Sequence, residues 1–481
     1  MKIIVQRSIF LFLVIALVVG VSFYVVIPIV KVASIKSMIQ QIQTLPGFEG
    51  STVVVDAKYE GSDDSVINEN SSSLIHPGSN YKLLTAAASL HYLGADFVFM
   101  TNFYTFIDHG RQSLIIEGRG DPTFHWEDIQ AMAKDIQKIN PHITGDIYYD
   151  DSFFHGEPYG PDWKVEWKDI HFGVPISALQ MDDNILYISG TGSAKKNNLH
   201  INTAAFQQYS PVMDTRILVN HAPPYTVRTV MSKDGVITLS GETSGDNNFA
   251  TSVNMENPSL ITAKTFKQEL VLLGVISSQS KVRLLTQHPV KKLMYQHKSA
   301  PLREIVRLML TFSKNNYGET LIRTLGEESN STSRENGSQA KGVELLRMFL
   351  MKEVGIAPED FVGRDGSGMS PSSRITGRAI LRLFEYVNKQ PWKDVYWNAF
   401  PTSNNEGTLR YRFLSAPIPD QVVAKTGTHD FASSLSGKIP RGRDTILFSV
   451  HIFHHHVPSE EIGMTVHPVI DTIVRLLDER L

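Results

Sequence analysis

The chain has 481 residues, with 46 basic and 49 acidic side chains and 42% hydrophobic content. It is long enough for two or three domains, and its balanced charge lacks the global positive field that would point to nucleic acid, so no nucleic-acid partner is expected. It contains no cysteine, which excludes disulfides, thiolate nucleophiles and zinc–cysteine sites but leaves the redox compartment open.

The first predicted element is apolar. Residues 8–30, "SIFLFLVIALVVGVSFYVVIPIV", run 23 residues without a charge, and as a helix span about 34 Å against a bilayer core of about 30 Å. A cleavable signal peptide has an apolar region of roughly 7–15 residues and a small-residue cleavage site. This run is longer and the following "KVAS" is a poor site, so residues 1–34 are expected to form an uncleaved single-pass transmembrane anchor. Lys2 and Arg7 before it nearly balance Lys31 and Lys36 after it, so charge hardly decides orientation.

Beyond the anchor the chain reads as mixed α/β. "STVVVDAKYEG" predicts a strand, "GSDDSVINENSSS" a turn-rich stretch, and "HPGSNYKLLTAAASLHYLG", residues 76–94, a helix begun after Pro77-Gly78 and ended at Gly94. Ser79 and Lys82 share a face of that helix, because residues i and i+3 are neighbours. A serine becomes a nucleophile when a base takes its proton, and a lysine is such a base once burial or other cations lower its pKa. The same pair also fits a hydroxyl cap followed by a solvated lysine, and this stretch alone leaves both readings open.

From 99 to 295 short β-like runs appear ("SLIIEG", "GDIYYDD", "NILYISG", "GVITLSG"), a stretch with the character of an insertion. Helical periodicity returns at 302–326 and in "RAILRLFEYV", with a polar loop at 327–339 and a β-rich end. No internal repeat is present. Ser313-Lys314-Asn315 falls at a junction between two helical runs, where polar side chains can point into a cleft. Lys425-Thr426-Gly427-Thr428 follows "VVA", and is expected on an edge strand whose glycine lets a ligand approach the backbone.

The ordered triplets SxxK, SxN and KTG form the three-part signature of penicillin-recognising serine acyl-enzymes. With "GRGDPTF" (118–124), "VPISALQMDDN" (174–184), "DGSGMSPSSRIT" (365–376) and "EGTLRYRF" (406–413), the chain resembles the class C low-molecular-mass penicillin-binding proteins, the D-alanyl-D-alanine carboxypeptidase/endopeptidase (DacB-like) family. The 230 residues from 83 to 312 accommodate that family's inserted domains. The resemblance implies a penicillin-binding-protein/beta-lactamase-like transpeptidase core of antiparallel sheet and helices, built from 35–98 and 296–481. Two smaller β-rich domains would be inserted at 99–295, the inner one at about 130–190.

It also implies roles. Ser79 attacks the penultimate D-alanine carbonyl with Lys82 as base, and Ser313 shuttles the proton to the leaving amine. Asn315 holds the substrate backbone. Lys425 lowers the pKa of Lys82 and draws the terminal carboxylate, to which Thr426 and Thr428 donate, and the N–H groups of Ser79 and Thr428 form the oxyanion hole. The expected partners are peptidoglycan stem peptides, beta-lactams and the cytoplasmic membrane, with the catalytic domain on its outer side; no metal or other cofactor is expected. Lys314 departs from the family's usual Asp or Asn and places an added cation near the site. His429-Asp430 is not read as a triad, because neighbours in a strand face opposite ways. "HIFHHH" (451–456) has the composition of a metal site but is expected instead to end a strand at the surface, and Asp365, Ser367 and Gly368 are read either as a turn that supports the site wall or as substrate contacts. A beta-lactamase or esterase with the same chemistry is the second reading, disfavoured by the long insertion, and a silent wall-binding scaffold the third.

Overall fold

The computed structural model describes residues 35–193, 198–201, 212–220, 227–233, 235–244, 248–328, 337–414, 417–418, 421–442 and 444–481. The apolar run at 8–30 lies outside them, and among the described residues no helix is long and apolar enough to cross a membrane.

Helix α1 (Ile35–Ile42) leads into strands β1 (Thr52–Tyr59) and β2 (Ile67–Glu69), then into α2 (Lys82–Tyr92). The chain next enters the inserted region: β3 (Met100–Asp108), β4 (Arg111–Gly118), α3 (Trp126–Ile139) and β5 (Ile147–Asp150). Six strands follow: β6 (Ile185–Ser193), β7 (Asn198–Ile201), β8 (Val212–Asn220), β9 (Val227–Met231), β10 (Val236–Ser244) and β11 (Asn248–Asn254). The insertion closes with α4 (Pro258–Leu272), β12 (Val282–Leu284) and β13 (Lys292–Lys298).

The chain then returns through α5 (Leu302–Phe312), α6 (Asn315–Glu328) and α7 (Gln339–Phe349). A short pair, β14 (Phe361–Val362) and β15 (Arg374–Ile375), precedes α8 (Gly377–Asn388) and α9 (Lys393–Asn398). The last elements are β16 (Val423–His429), β17 (Ala432–Arg441), β18 (Asp444–Phe453) and α10 (Ile462–Arg480).

Both ends of the chain build one antiparallel sheet, ordered β16-β17-β18-β1-β2. Its central strands follow the period-2 rule: Val53, Val55 and Ala57 join one core with α1 and α10, while Val54 faces the opposite core of α2, α5, α6 and α8. Helix α5 buries Leu302, Ile305, Val306 and Met309, the spacing of one helical face. Gly94 ends α2 with φ +80°, as its position predicts.

The insertion holds a mixed five-stranded sheet, β12-β5-β4-β3-β13, and two three-stranded sheets, β8-β10-β9 and β11-β6-β7. Its core also draws on α3 and α4 through residues such as Ile129, Ile136, Phe266 and Leu270, so it is less purely β than expected. The two small sheets are built from strands between 185 and 254. Much of 150–184 instead runs against the transpeptidase core, held by bonds that no local pattern announces. The histidine run also differs: β18 continues to Phe453 and His451 is buried within it, its Nε2 2.7 Å from Ser449 Oγ. His455 is buried beyond the strand, and only His454 and His456 are exposed. No cluster of metal-ligating side chains occurs among the described residues.

Candidate active site

Ser79 sits in a 3-10 turn, Gly78–Tyr81, immediately before α2, and makes no side-chain cap bond there. The turn rests against edge strand β16: a Cβ on Gly427 would lie 2.2 Å from Pro77 O, and one on Gly78, at φ +52°, 2.8 Å from Thr428 N. The absent side chain of Gly427 therefore makes room for the Ser79 turn and not, as expected, for a ligand. The capping reading of Ser79 fails for the same geometry, since its hydroxyl faces Lys82.

Lys82 is fully buried. Its Nζ lies 2.8 Å from Ser79 Oγ, 2.6 Å from Asn315 Oδ1 and 2.9 Å from Ser367 O. Burial pulls its pKa down to about 7, against the opposing pull of Asp365 and Glu319. A neutral amine has two N–H groups and one lone pair. The two carbonyl-type acceptors take the N–H groups, which leaves the lone pair for the Ser79 proton.

Lys425 is also fully buried and donates to Ser313 Oγ at 2.9 Å and Thr426 O at 2.7 Å. Burial, and then the charge of Lys82, holds its pKa well below the ordinary value. Burial, not Lys425, is thus the leading cause of the low Lys82 value. Ser313 is a left-handed residue (φ 60°) that ends α5, and this turn aims both Ser313 and Asn315 inward. Asn315 donates from Nδ2 to Phe172 O at 3.0 Å.

These groups meet at a cavity of about 340 Å³ lined by Ser79, Ser313, Asn315, Thr428, Trp167 and Met369 among others. Thr428 reaches it exposed, with Oγ1 3.5 Å from His467 Nε2. Thr426 is turned away and bonds Thr408 at 2.9 Å. Lys314 does not add charge to the site: it pairs with Asp183 at 2.6 Å, within the "QMDDN" segment. Asp430 pairs with Lys164 at 2.7 Å and the His429 ring packs 4.2 Å from that of His76, so the pair makes no triad with Ser79.

The wall behind Lys82 is a buried turn. Asp365 accepts from Gly368 N, Ser370 N and Trp163 Nε1 at 3.0, 2.6 and 3.2 Å. Glu319 accepts from Gly366 N and Ser367 N at 3.1 and 2.8 Å, and burial, then the Asp365 charge, pushes its pKa up to about 8. Glu319, Asp183, Trp167 and Phe172 escaped the sequence reading. Only Glu319 carried a local signal, an acid on the inward face of α6.

A serine beside a fully buried lysine, a second lysine–serine pair and an edge strand define a penicillin-recognising serine acyl-enzyme. A family model described as "D-Ala-D-Ala carboxypeptidase 3 (S13)" matches residues 31–464. The chain belongs to this family, and its activity is that of a serine-type D-Ala-D-Ala carboxypeptidase acylated by beta-lactams. It is 27% identical over 454 residues to the D-alanyl-D-alanine carboxypeptidase of Actinomadura sp. (strain R39), covering 89% of this chain and 82% of that one. It is also 27% identical over 416 residues to the D-alanyl-D-alanine carboxypeptidase DacB of Haemophilus influenzae, covering 83% and 84%. The crystal structure of penicillin binding protein 4 (dacB) from Haemophilus influenzae shares the fold, with a TM-score of 0.78 at 24% identity over 92% of this chain and 98% of that one. A predatory endopeptidase from Bdellovibrio bacteriovorus shares it more distantly, with a TM-score of 0.53 at 14% identity over 89% of this chain and 94% of that one.

Proposed function

We propose that Ser79 is the nucleophile and Lys82 its general base, in a reaction that removes the terminal D-alanine from peptidoglycan stem peptides through an acyl-enzyme. The observation that carries this is the 2.8 Å contact between Ser79 Oγ and a fully buried, neutral-leaning amine at the cavity floor. Ser79 Oγ attacks the penultimate carbonyl while its proton passes to Lys82 Nζ. Ser313, bonded to Lys425, relays a proton to the leaving amine, and Asn315 Nδ2 holds the substrate backbone in place of Phe172 O. The N–H groups of Ser79 and Thr428 receive the developing oxyanion, an arrangement supported by the close seating of Gly78 on Thr428. Water then releases the shortened peptide. Cleavage of cross-linked peptides follows from the same chemistry if the leaving amine belongs to a neighbouring stem.

Of the four KTGT residues Thr428 alone lines the cavity, so its hydroxyl is the donor for the terminal carboxylate. Thr428→Val should lower kcat/KM for a peptide ending in a free D-alanyl carboxylate by roughly 10- to 100-fold, as for one charged hydrogen bond. The amide-capped peptide should change far less. Equal losses for acid and amide would show that Thr428 does not read the carboxylate. Residues 8–30 we read as the anchor that holds the catalytic domain outside the cytoplasmic membrane, where peptidoglycan lies. Full-length protein should fractionate with membranes, and removal of residues 1–34 should give a soluble domain that penicillin still labels. Full-length protein found in the medium with a new N-terminus near Ser34 would mean a cleaved signal peptide instead.

A further inference from the structure

A second cavity, about 690 Å³ and larger than the first, opens behind the site wall. Three cations line it, Lys168, Arg323 and Arg364, against one acid, Glu157, with Tyr159 and Trp163 as aromatic faces. Arg323 is only 2% exposed; among the described residues no carboxylate forms a close ion pair with it, and Glu319 acts on it only from a distance. Its terminal nitrogens donate to His155 O, Glu157 O and Gln339 Oε1 at 3.3, 2.6 and 3.3 Å. Nε has no partner. The nearby acid, Glu319, is held towards its neutral form by burial and by Asp365. A buried guanidinium given only neutral acceptors is a costly arrangement that an anion would relieve. Lys168 and Arg364 are exposed at the cavity, where they draw an anion inward.

We propose that this cavity binds a carboxylate of a second stem peptide, so that the enzyme holds its polymeric substrate at two places. The proposal rests on the peptidoglycan reading above. Arg323 supplies a fixed, pre-oriented donor, Lys168 and Arg364 supply charge, and Tyr159 and Trp163 cover the peptide's methylenes. Trp163 also donates to Asp365, so an occupant would press on the turn whose Ser367 carbonyl orients Lys82.

The test uses the full-length protein first acylated by penicillin, which closes the Ser79 cavity, and titrates it calorimetrically with the tripeptide L-Ala-γ-D-Glu-L-Lys. Binding in the millimolar range is expected. It should weaken at least about tenfold in the Lys168→Glu/Arg364→Glu double variant, where two attractions become repulsions. The doubly amidated tripeptide should bind as poorly as that variant's ligand. Arg323→Met, checked for folding by its penicillin stoichiometry, should also lose binding. Absence of binding at millimolar tripeptide, equal binding of the amidated form, or binding undiminished in the double variant overturns the proposal. Failure of penicillin to label the protein would count against the acyl-enzyme reading alone, because the comparison of wild type with double variant decides the second cavity either way.

Discussion

Ser79→Ala is expected to abolish covalent labelling by a fluorescent penicillin and to lower D-alanine release by at least about a thousandfold, the scale on which serine enzymes lose activity with their nucleophile. Only one oxygen is removed, from a half-buried position in a 3-10 turn, so the thermal midpoint should move little. The main structural effect is that Lys82 keeps two acceptors, Asn315 Oδ1 and Ser367 O, where it had three groups around it. Intact-mass measurement reads the adduct directly. An adduct of unchanged stoichiometry in the variant would remove Ser79 from the mechanism, and with it the meaning of the Lys82 contact.

The second large effect is on pH. Burial disfavours the ammonium of Lys82 and sets its folded pKa at about 7, below the ordinary 10.5. The reactive form is the free amine, so the rate of acylation should rise with pH, bend near 7 and level above it. Lys82→Met should remove both the bend and roughly 10²- to 10⁴-fold of the rate, the range for a positioned general base. Stability carries the same sign. Between about 7 and 10.5 the unfolded chain holds the lysine proton that the folded chain has shed, so the folded state gains stability as pH rises through that window. Lys425 is lowered for the same leading reason and adds to the slope, so Lys82→Met should reduce the slope without erasing it. A pH–rate profile flat across 7 would mean that another group accepts the proton.

Much of the core was legible because its elements are periodic or punctuated. The α2 run starts after Pro77-Gly78 and ends at Gly94, α5 carries its apolar residues on one face, and the KTGT strand lies at the sheet edge as expected. The SxxK, SxN and KTG triplets lie on or beside these elements. What escaped reading lies in contacts between distant segments. Trp163, Lys164 and Phe172 come from a stretch with no regular period, yet they touch Asp365, Asp430 and Asn315. The other edge of that stretch is tied to β11 through Asn254, which donates to Lys168 O and Ile170 O at 2.8 and 2.9 Å. Lys314 reads locally as a free cation at the site, and only the fold brings Asp183 to it. His451 reads as part of a polar run, but its strand alternation places it inward beside Ser449. Side-chain pattern reports which face a residue takes; it does not report which remote carboxylate or carbonyl will meet it.

Thr52 pairs with Phe453 and Tyr59 with Ile446 across the middle of the catalytic sheet. Strand β18 is therefore the only link between β1 and the pair β16-β17. During synthesis the nucleophile turn is made early, but the surface it must seat upon arrives nearly 350 residues later, and β16 and β17 cannot join β1 until Asp444–Phe453 has emerged. The inserted region, whose strands and helices pair among themselves, can be complete long before that. A ribosome that stops between Asn315 and β18 thus releases a chain with a folded middle and two idle ends, including a β1 that keeps only β2 as a partner and leaves its other edge, of mostly buried-type residues, open to aggregation. Such a product has every residue of the SxxK and SxN triplets and no active site, so loss of the last strand is as complete a knockout as loss of Ser79.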